Sequence, residues 1–237
     1  MTASNDRYAV YFAPAPESNL WRTGCHWFGH NSARPVAGAL PPEVAAAGLS
    51  EVDWTAMTAA PRRYGFHATL KPPFALADGH DLSDLDTALA RFAAGRKAFA
   101  AAPLAVHRLD GFLALCPAAP DSGLTDLAAD CVEAFDLFRR PPGPDELARR
   151  RARGLTPRQE SLLQTWGYPY VMDEFRFHLT LTGRLNDETA ARIKPVLDRM
   201  FSDVLGGPLA VDGITLCREP APGAPFERVR RYNFAGR

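Results

Sequence analysis

One five-residue phrase occurs twice in this chain of 237 residues. Residues 66–70 read Phe-His-Ala-Thr-Leu, and residues 177–181 read Phe-His-Leu-Thr-Leu. The chain has only six histidines, and two of them occupy the same frame, one in each half of the sequence. A repeat that keeps its polar residues while a neighbour changes indicates two copies of one half-site, and it favours an internally duplicated fold.

Strand alternation gives each copy of the phrase an apolar and a polar face. Side chains two residues apart on a strand point the same way, so the apolar residues of each copy would face a core. Repeat strands are predicted over residues 63–71 and 174–182, with Pro72 and Pro73 stopping the first. The predicted polar faces carry His67, Thr69, Lys71, Arg176, His178 and Thr180.

The remaining elements follow the repeat in a similar order in each half. From capping residues and apolar periodicity, helices are predicted over residues 83–100, 125–138, 145–153, 156–166 and 186–205, the last kinked at Pro195. Strands are predicted over residues 8–12, 104–109, 112–115, 209–216 and 226–234. The sequence therefore predicts an α+β fold in a single bilobal domain over residues 1–237, with lobe 1 at about 1–120 and lobe 2 at about 121–237.

Charge and composition exclude some classes of function. The chain has 27 basic and 27 acidic residues, and this balance argues against broad electrostatic binding of nucleic acid. It leaves room for a local cationic pocket. A hydrophobic signal region and a membrane-length apolar run are both absent from the sequence, and the four cysteines are scattered. We expect a cytoplasmic monomer without membrane contact.

A histidine beside a threonine, present twice, suits phosphodiester chemistry. An imidazole with an ordinary pKa of about 6.5 exchanges protons near neutral pH, and a threonine hydroxyl donates to a phosphoryl oxygen. One neutral histidine would take a proton from water while the other, protonated, delivers one to the leaving oxygen. A zinc site on these histidines is the alternative, but an obvious third ligand is lacking, and zinc usually takes three or four. Cys25, His26 and His30 lie close together, but they are in a poorly defined segment. We expect neither a metal nor a cofactor.

The two motifs resemble those of the two-histidine (2H) phosphoesterase superfamily, the RNA ligase-like and cyclic phosphodiesterase group. Its hallmark is a His-x-Thr/Ser-x motif in each of two lobes. The flanks at residues 63–74, 154–159 and 166–171 are similar to the bacterial branch associated with phosphonate metabolism. The resemblance implies two antiparallel sheets flanking a central cleft with helices packed outside. It also implies that His67 and His178 are the acid–base pair and that Thr69 and Thr180 bind phosphate.

The resemblance implies a metal-independent phosphodiesterase acting on a small cyclic phosphodiester, either a 2′,3′-cyclic nucleotide or a cyclic ribosyl phosphate. Two alternatives stay open: an enzyme of RNA-end processing with 2′-5′ ligase or cyclic phosphodiesterase activity, and a phosphate-binding module without turnover. Which histidine is the acid does not follow from the motif.

Three further groups of residues have both a functional and an ordinary interpretation. Lys71 and Arg176 either neutralise phosphate or are exposed strand cations. Tyr168, with Tyr170 nearby, either stacks on substrate or packs under a loop. The arginines at 149–151 form either a solvated helix face or a lid that attracts an anion.

Overall fold

The protein is described here by a computed structural model that covers residues 6–29 and 39–236. Its strands are β1 (Arg7–Phe12), β2 (Ala68–Phe74), β3 (Phe99–Ala101), β4 (Leu104–Leu109), β5 (Phe112–Pro117), β6 (Leu179–Thr180), β7 (Leu209–Val211), β8 (Gly213–Glu219) and β9 (Glu227–Asn233). Its α-helices are α1 (Asn19–Phe28), α2 (Pro42–Ala46), α3 (Glu51–Arg62), α4 (Leu82–Ala94), α5 (Ser122–Ala134), α6 (Pro144–Arg151), α7 (Pro157–Trp166), α8 (Asp187–Met200) and α9 (Ser202–Leu205). Paired strands run antiparallel, which confirms the predicted α+β class.

The largest sheet has the strand order β2-β1-β8-β9. Its inner strand β1 is apolar on both faces because it is covered on both sides. Val10 and Phe12 belong to the main core, whereas Ala9 and Tyr11 pack with Cys217 and Phe226 on the opposite face. The second face is the one that carries the site described below.

Strands from the two halves of the sequence mix in each sheet. The large sheet joins β1 and β2 to β8 and β9, a smaller sheet has the order β4-β5-β6, and β3 pairs with β7. Sheet membership therefore does not follow a boundary near residue 120, and the division into two sequence-contiguous lobes stays a prediction.

Local signals located two features well. The predicted strand pair forms β4 and β5, and Asp110 and Gly111 join them with φ of 48° and 92°, the left-handed backbone of a tight hairpin turn. Thr156 caps α7 in a capping box with Gln159, and Gly167 ends the helix with a φ of 73°.

The first repeat strand begins and ends later than predicted. His67 precedes β2, and the strand continues through Pro72 and Pro73 to Phe74 instead of stopping at the prolines. The reason is that β2 lies at the edge of its sheet, where a missing N–H faces no neighbouring strand.

The second repeat strand is much shorter than predicted. Only Leu179 and Thr180 form β6, which pairs with Leu115 and Ala114 of β5. Residues Met172–Glu174 form a turn of 3₁₀-helix at the predicted start of the strand. The Phe-His part of each copy therefore precedes the ladder and lies outside any strand.

Several boundaries were predicted wrongly because the strongest capping side chain was missed. Asp81 and Asp84, not Ser83 and Asp86, form the capping box of α4, and this helix ends at Gly95. Asp121 caps α5, so the helix starts at Ser122 instead of residue 125.

The predicted strand over residues 209–216 divides into β7 and β8, since the first part pairs with β3 and the second with β1 and β9.

None of the helices within residues 6–29 and 39–236 combines the length and the apolarity needed to cross a lipid bilayer.

Candidate active site

A cavity of about 480 Å³ lies against the second face of the large sheet. Its wall includes one residue pair from the first repeat, His67 and Thr69, and Thr180 from the second. The other lining residues are Arg7, Tyr11, Tyr64, Pro72, Pro73, Glu146, Arg149, Arg150, Arg153, Tyr168, Pro169 and Tyr170. The first copy of the phrase therefore contributes its histidine and its threonine to the cavity wall, whereas the second contributes its threonine, and His178 is not among the lining residues.

The ring of His67 is held by a backbone carbonyl two residues earlier. Its Nδ1 lies 2.9 Å from the carbonyl oxygen of Gly65, which can only accept, so Nδ1 carries the proton. In the neutral ring Nε2 is then the acceptor, and Thr69 Oγ1 lies 3.2 Å from it. Gly65 has a φ of 77°, the left-handed conformation that lets the chain turn from α3 and aim this carbonyl at His67.

His178 repeats that arrangement. Its Nδ1 lies 2.7 Å from the carbonyl oxygen of Arg176, again two residues earlier, so the proton is held on Nδ1 in the neutral ring. Its ring packs near Phe112 at a centroid distance of 5.6 Å. Both histidines thus present Nε2 as the nitrogen available for proton transfer.

Both imidazoles favour the neutral form. Burial lowers the pKa of His67 to about 4. The hydrogen bond that Nδ1 donates to the Gly65 carbonyl acts in the opposite direction, and a positive charge on His178 would add to the decrease. Burial also lowers the pKa of His178, and the carboxylate of Asp110 acts in the opposite direction.

The two threonines come from different sheets. Thr69 lies directly across from Tyr11 of β1, and Thr180 across from Ala114 of β5. Both are partly exposed and line the cavity. The Thr180 hydroxyl can donate to an anion in the cavity, and the Thr69 hydroxyl can do so once its proton turns away from Nε2 of His67.

Lys71 does not reach the cavity, contrary to the prediction. Tyr11 pairs with Thr69, but Val10 pairs with Lys71, so β2 has one extra residue at this point. This β-bulge reverses the alternation and turns Lys71 to the core face of Val10. The side chain is 1% exposed, and its Nζ donates to the carbonyl of Val132 at 2.9 Å and to Asp136 at 3.2 Å.

Arg176 also lies outside the cavity wall. Its side chain is 65% exposed, and its nearest acidic partner, Asp110, is 3.9 Å away. The prediction that it shares a strand face with His178 failed because residues 174–178 are not part of a regular strand. What Arg176 supplies to the site is its backbone carbonyl, which holds His178.

Tyr168 and the arginine-rich helix form the wall opposite the sheet. The guanidinium of Arg150 lies 4.7 Å from the Tyr168 ring centroid, and Arg150 pairs with Glu146 at 2.6 Å. Arg149 and Arg153 line the cavity and have no acidic partner among the described residues. Arg151 points elsewhere and pairs with Glu160. Part of the arginine cluster is thus a cavity wall and not only a solvated face.

Sequence reasoning missed three residues of this wall. Arg7 and Tyr11 are distant in sequence from both repeats, and strand pairing brings them beside the first one, whereas Tyr64 lies only three residues before His67. The available signal was the alternation of β1, which places Arg7, Ala9 and Tyr11 on one face.

No group of three or more His, Cys, Asp or Glu side chains within residues 6–29 and 39–236 is arranged to hold a metal ion. His26 pairs with Glu43 at 3.2 Å, and burial raises the pKa of Cys25 to about 12. His30, the third residue of the alternative zinc site, lies outside the described residues.

Comparison with known proteins places the chain in a family. Residues 69–227 match the family described as "Protein of unknown function (DUF1045)". The chain belongs to this family. It is also 39% identical over 237 residues to a protein of Janthinobacterium sp. (strain Marseille) and 38% identical over 226 residues to one of Laribacter hongkongensis (strain HLHK9).

Both relatives are named ribose 1,5-bisphosphate phosphokinase PhnN. These matches cover 98% and 94% of this DUF1045 chain but only 52% and 51% of the relatives, so the chain spans about half the length of the curated proteins it matches.

Proposed function

We propose that this protein is a metal-independent phosphodiesterase that opens a small cyclic phosphodiester, with a cyclic ribosyl phosphate as the favoured substrate class. The observation that carries the proposal is the pair of histidines held alike by the carbonyl two residues earlier. Packing alone gives no reason for the same orientation twice, whereas acid–base catalysis needs two imidazoles with Nε2 available. The resemblance to 2H phosphoesterases and the phosphonate-associated flanks support the same reaction.

In the proposed hydrolysis the two histidines have different roles. Neutral His67 takes a proton from water through Nε2, and the oxygen of that water forms a bond to phosphorus. The bond between phosphorus and one ester oxygen of the cyclic phosphate breaks, and protonated His178 donates its proton to that oxygen. The product is a phosphomonoester with a free neighbouring hydroxyl. We assign His67 as the base because burial lowers its pKa to about 4 and keeps it neutral at neutral pH. We assign His178 as the acid because, although burial lowers its pKa too, the carboxylate of Asp110 acts in the opposite direction.

The cavity wall supports an anionic substrate. When substrate binds, the Thr69 hydroxyl would turn from Nε2 of His67 to a non-bridging phosphoryl oxygen and leave Nε2 free for the proton of water. Thr180 would donate to the other non-bridging oxygen, and charge on these oxygens increases in the transition state. Arg149 and Arg153, which have no acidic partner among the described residues, would neutralise a further anionic group of the substrate. The relatives' name, ribose 1,5-bisphosphate phosphokinase, supports a ribosyl phosphate as the compound bound.

The test is hydrolysis of a panel of cyclic phosphates by the purified chain in the presence of EDTA. The panel contains 2′,3′-cyclic nucleotides, cyclic ribosyl phosphates and an oligonucleotide with a 2′,3′-cyclic end, which tests RNA-end processing. His67→Ala and His178→Ala should each lower kcat by at least about 10²-fold with the fold unchanged. Loss of activity on EDTA that zinc restores would contradict the metal-free mechanism, and binding without turnover would favour the non-catalytic module.

A phosphotransferase is the second candidate, since the relatives' names point to a kinase. The phosphate-binding loop of many nucleotide-dependent kinases needs a Gly-Lys pair, and the three lysines here follow Leu70, Arg96 and Ile193. Because the chain matches only about half of each relative, we place the kinase chemistry in the unmatched half. Transfer of ³²P from γ-labelled ATP to ribose 1,5-bisphosphate by this chain alone would overturn that assignment.

A further inference from the structure

Tyr11 is a buried tyrosine on the cavity face that the histidine motifs do not include. Alternation along β1 turns Tyr8, Val10 and Phe12 toward the main core and Tyr11 the other way, against the cavity. In the antiparallel pair with β2, Tyr11 lies directly opposite Thr69. Directly opposed residues project from the same face of a sheet, so Tyr11 and Thr69 are neighbours in the cavity wall.

The ring of Tyr11 stacks on His67. The two ring centroids are 3.8 Å apart and the planes meet at 29°. Together with the bond from Nδ1 to the Gly65 carbonyl, this contact fixes the plane in which His67 presents Nε2. Phe226 packs on another side of Tyr11 at 5.8 Å, so the tyrosine ring is itself held in place.

The hydroxyl of Tyr11 has no hydrogen-bond partner among the described residues, and it is not one of their fully enclosed unpaired atoms, so it opens onto the cavity although the residue is only 1% exposed. A buried tyrosine hydroxyl normally finds a partner. The charged and titratable groups that act on this hydroxyl include Arg7, Tyr64 and Tyr168, which all line the cavity. Burial raises the pKa of Tyr11 well above its usual range, so the hydroxyl keeps its proton and remains a donor.

We infer that Tyr11 is a further catalytic residue, whose hydroxyl donates a hydrogen bond to the phosphoryl group held between His67 and Thr69. The inference rests on the proposed phosphodiesterase function. It explains why a hydroxyl without a partner among the described residues opens onto the cavity and why the same side chain stacks on His67, the proposed base. Thr69, Thr180 and Tyr11 then give three uncharged donors around one phosphate.

Tyr11→Phe tests the hydroxyl while keeping the ring that stacks on His67. With the best substrate of the cyclic phosphate panel, kcat/KM should fall about 10- to 100-fold, the range for one hydrogen bond to a charged group. The matched control is Tyr8→Phe on the same strand, because the Tyr8 hydroxyl lies on the other face and donates to Asp6. Tyr8→Phe should keep wild-type kinetics, and wild-type kinetics in Tyr11→Phe would overturn the inference.

Binding of inorganic phosphate, measured by calorimetry, separates this inference from the proposed reaction. Tyr11→Phe should bind phosphate about 10-fold more weakly than the wild type, with no change in Tyr8→Phe. If the wild type opens none of the cyclic phosphates but this difference in affinity is present, the proposed function fails and the role of Tyr11 as an anion donor stands. Equal affinities of wild type and Tyr11→Phe, or no phosphate binding by the wild type, would overturn the role of Tyr11.

Discussion

Replacing His67 by Gln should make the protein more resistant to acid. The pKa of His67 is lowered from 6.5 to about 4 in the folded state because the ring is buried. Between these two values the unfolded chain binds a proton at this position and the folded chain does not. The free energy of unfolding therefore falls as the pH decreases through this window, and the contribution of neutral His67 is fully present only above about pH 6.5.

The size of the effect follows from the two pKa values. With 6.5 in the unfolded state and about 4 in the folded state, lowering the pH from about 7 to about 4.5 removes about 2 kcal/mol from the free energy of unfolding. Glutamine does not titrate, and it approximates the shape and polarity of the neutral ring. His67→Gln should therefore lose about 2 kcal/mol less than the wild type over this pH range.

Urea unfolding of both proteins at the two pH values measures this difference, because the many carboxylates that also titrate cancel between them. His107→Gln is the control for removing an exposed histidine, since His107 lies on the exposed face of β4. If wild type and His67→Gln lose the same free energy within about 0.5 kcal/mol, the buried, neutral state of His67 is wrong. Titration of the His67 ring followed by NMR gives the pKa directly and should agree.

Three further predictions concern residues around the site. The double variant Arg149→Ala/Arg153→Ala should raise the KM for an anionic cyclic phosphate about 10-fold or more and weaken the dependence of KM on salt, measured by steady-state kinetics at two ionic strengths. Arg151→Ala is the control, because Arg151 pairs with Glu160, and it should leave KM and its salt dependence unchanged. Asp136→Ala should lower the free energy of unfolding in urea by about 3 kcal/mol, because it leaves the buried charge of Lys71 without its carboxylate. Lys71→Met should lower it by less, since Asp136 keeps two hydrogen bonds from Arg139. A larger loss in Lys71→Met than in Asp136→Ala would contradict this account. Gly167→Ala should lower the free energy of unfolding by about 1–2 kcal/mol, and by more than Gly154→Ala does. Both glycines have a positive φ, but only at Gly167 would the new Cβ meet another side chain, Arg139, at 2.8 Å. Equal losses in the two variants would contradict the role of that contact.

The sequence predicted those elements whose signals are local. The turn at Asp110-Gly111 and the capping box of Thr156 with Gln159 each need only residues within a few positions, and the structure has both. The length of β2 and β6 could not be predicted in this way. Pro72 and Pro73 end a strand in the interior of a sheet but not at its edge, and whether a strand lies at an edge depends on residues far away in the chain.

The candidate site was predictable to the extent that it follows the repeat. Of the predicted site residues, those that line the cavity are His67, Thr69, Tyr168 and Thr180, whereas His178, Lys71 and Arg176 do not. For Lys71 the cause is a single extra residue in β2 opposite the step from Tyr11 to Val10. Simple alternation assumes an unbroken ladder, and one bulge moves every later side chain to the other face.

What the two copies share is therefore a local bond and not a strand. His67 precedes β2 at the edge of a four-stranded sheet, and His178 precedes the two-residue β6 of a different sheet. In spite of these different surroundings, each ring donates Nδ1–H to the carbonyl two residues earlier. Packing would adjust each histidine to its own neighbours, so the same tautomer and orientation in two unlike places is better explained by what each Nε2 has to do. Replacing either histidine by Asn should therefore preserve the fold and remove turnover. The side-chain amide of Asn can still donate to the carbonyl two residues earlier, but it has no counterpart of Nε2.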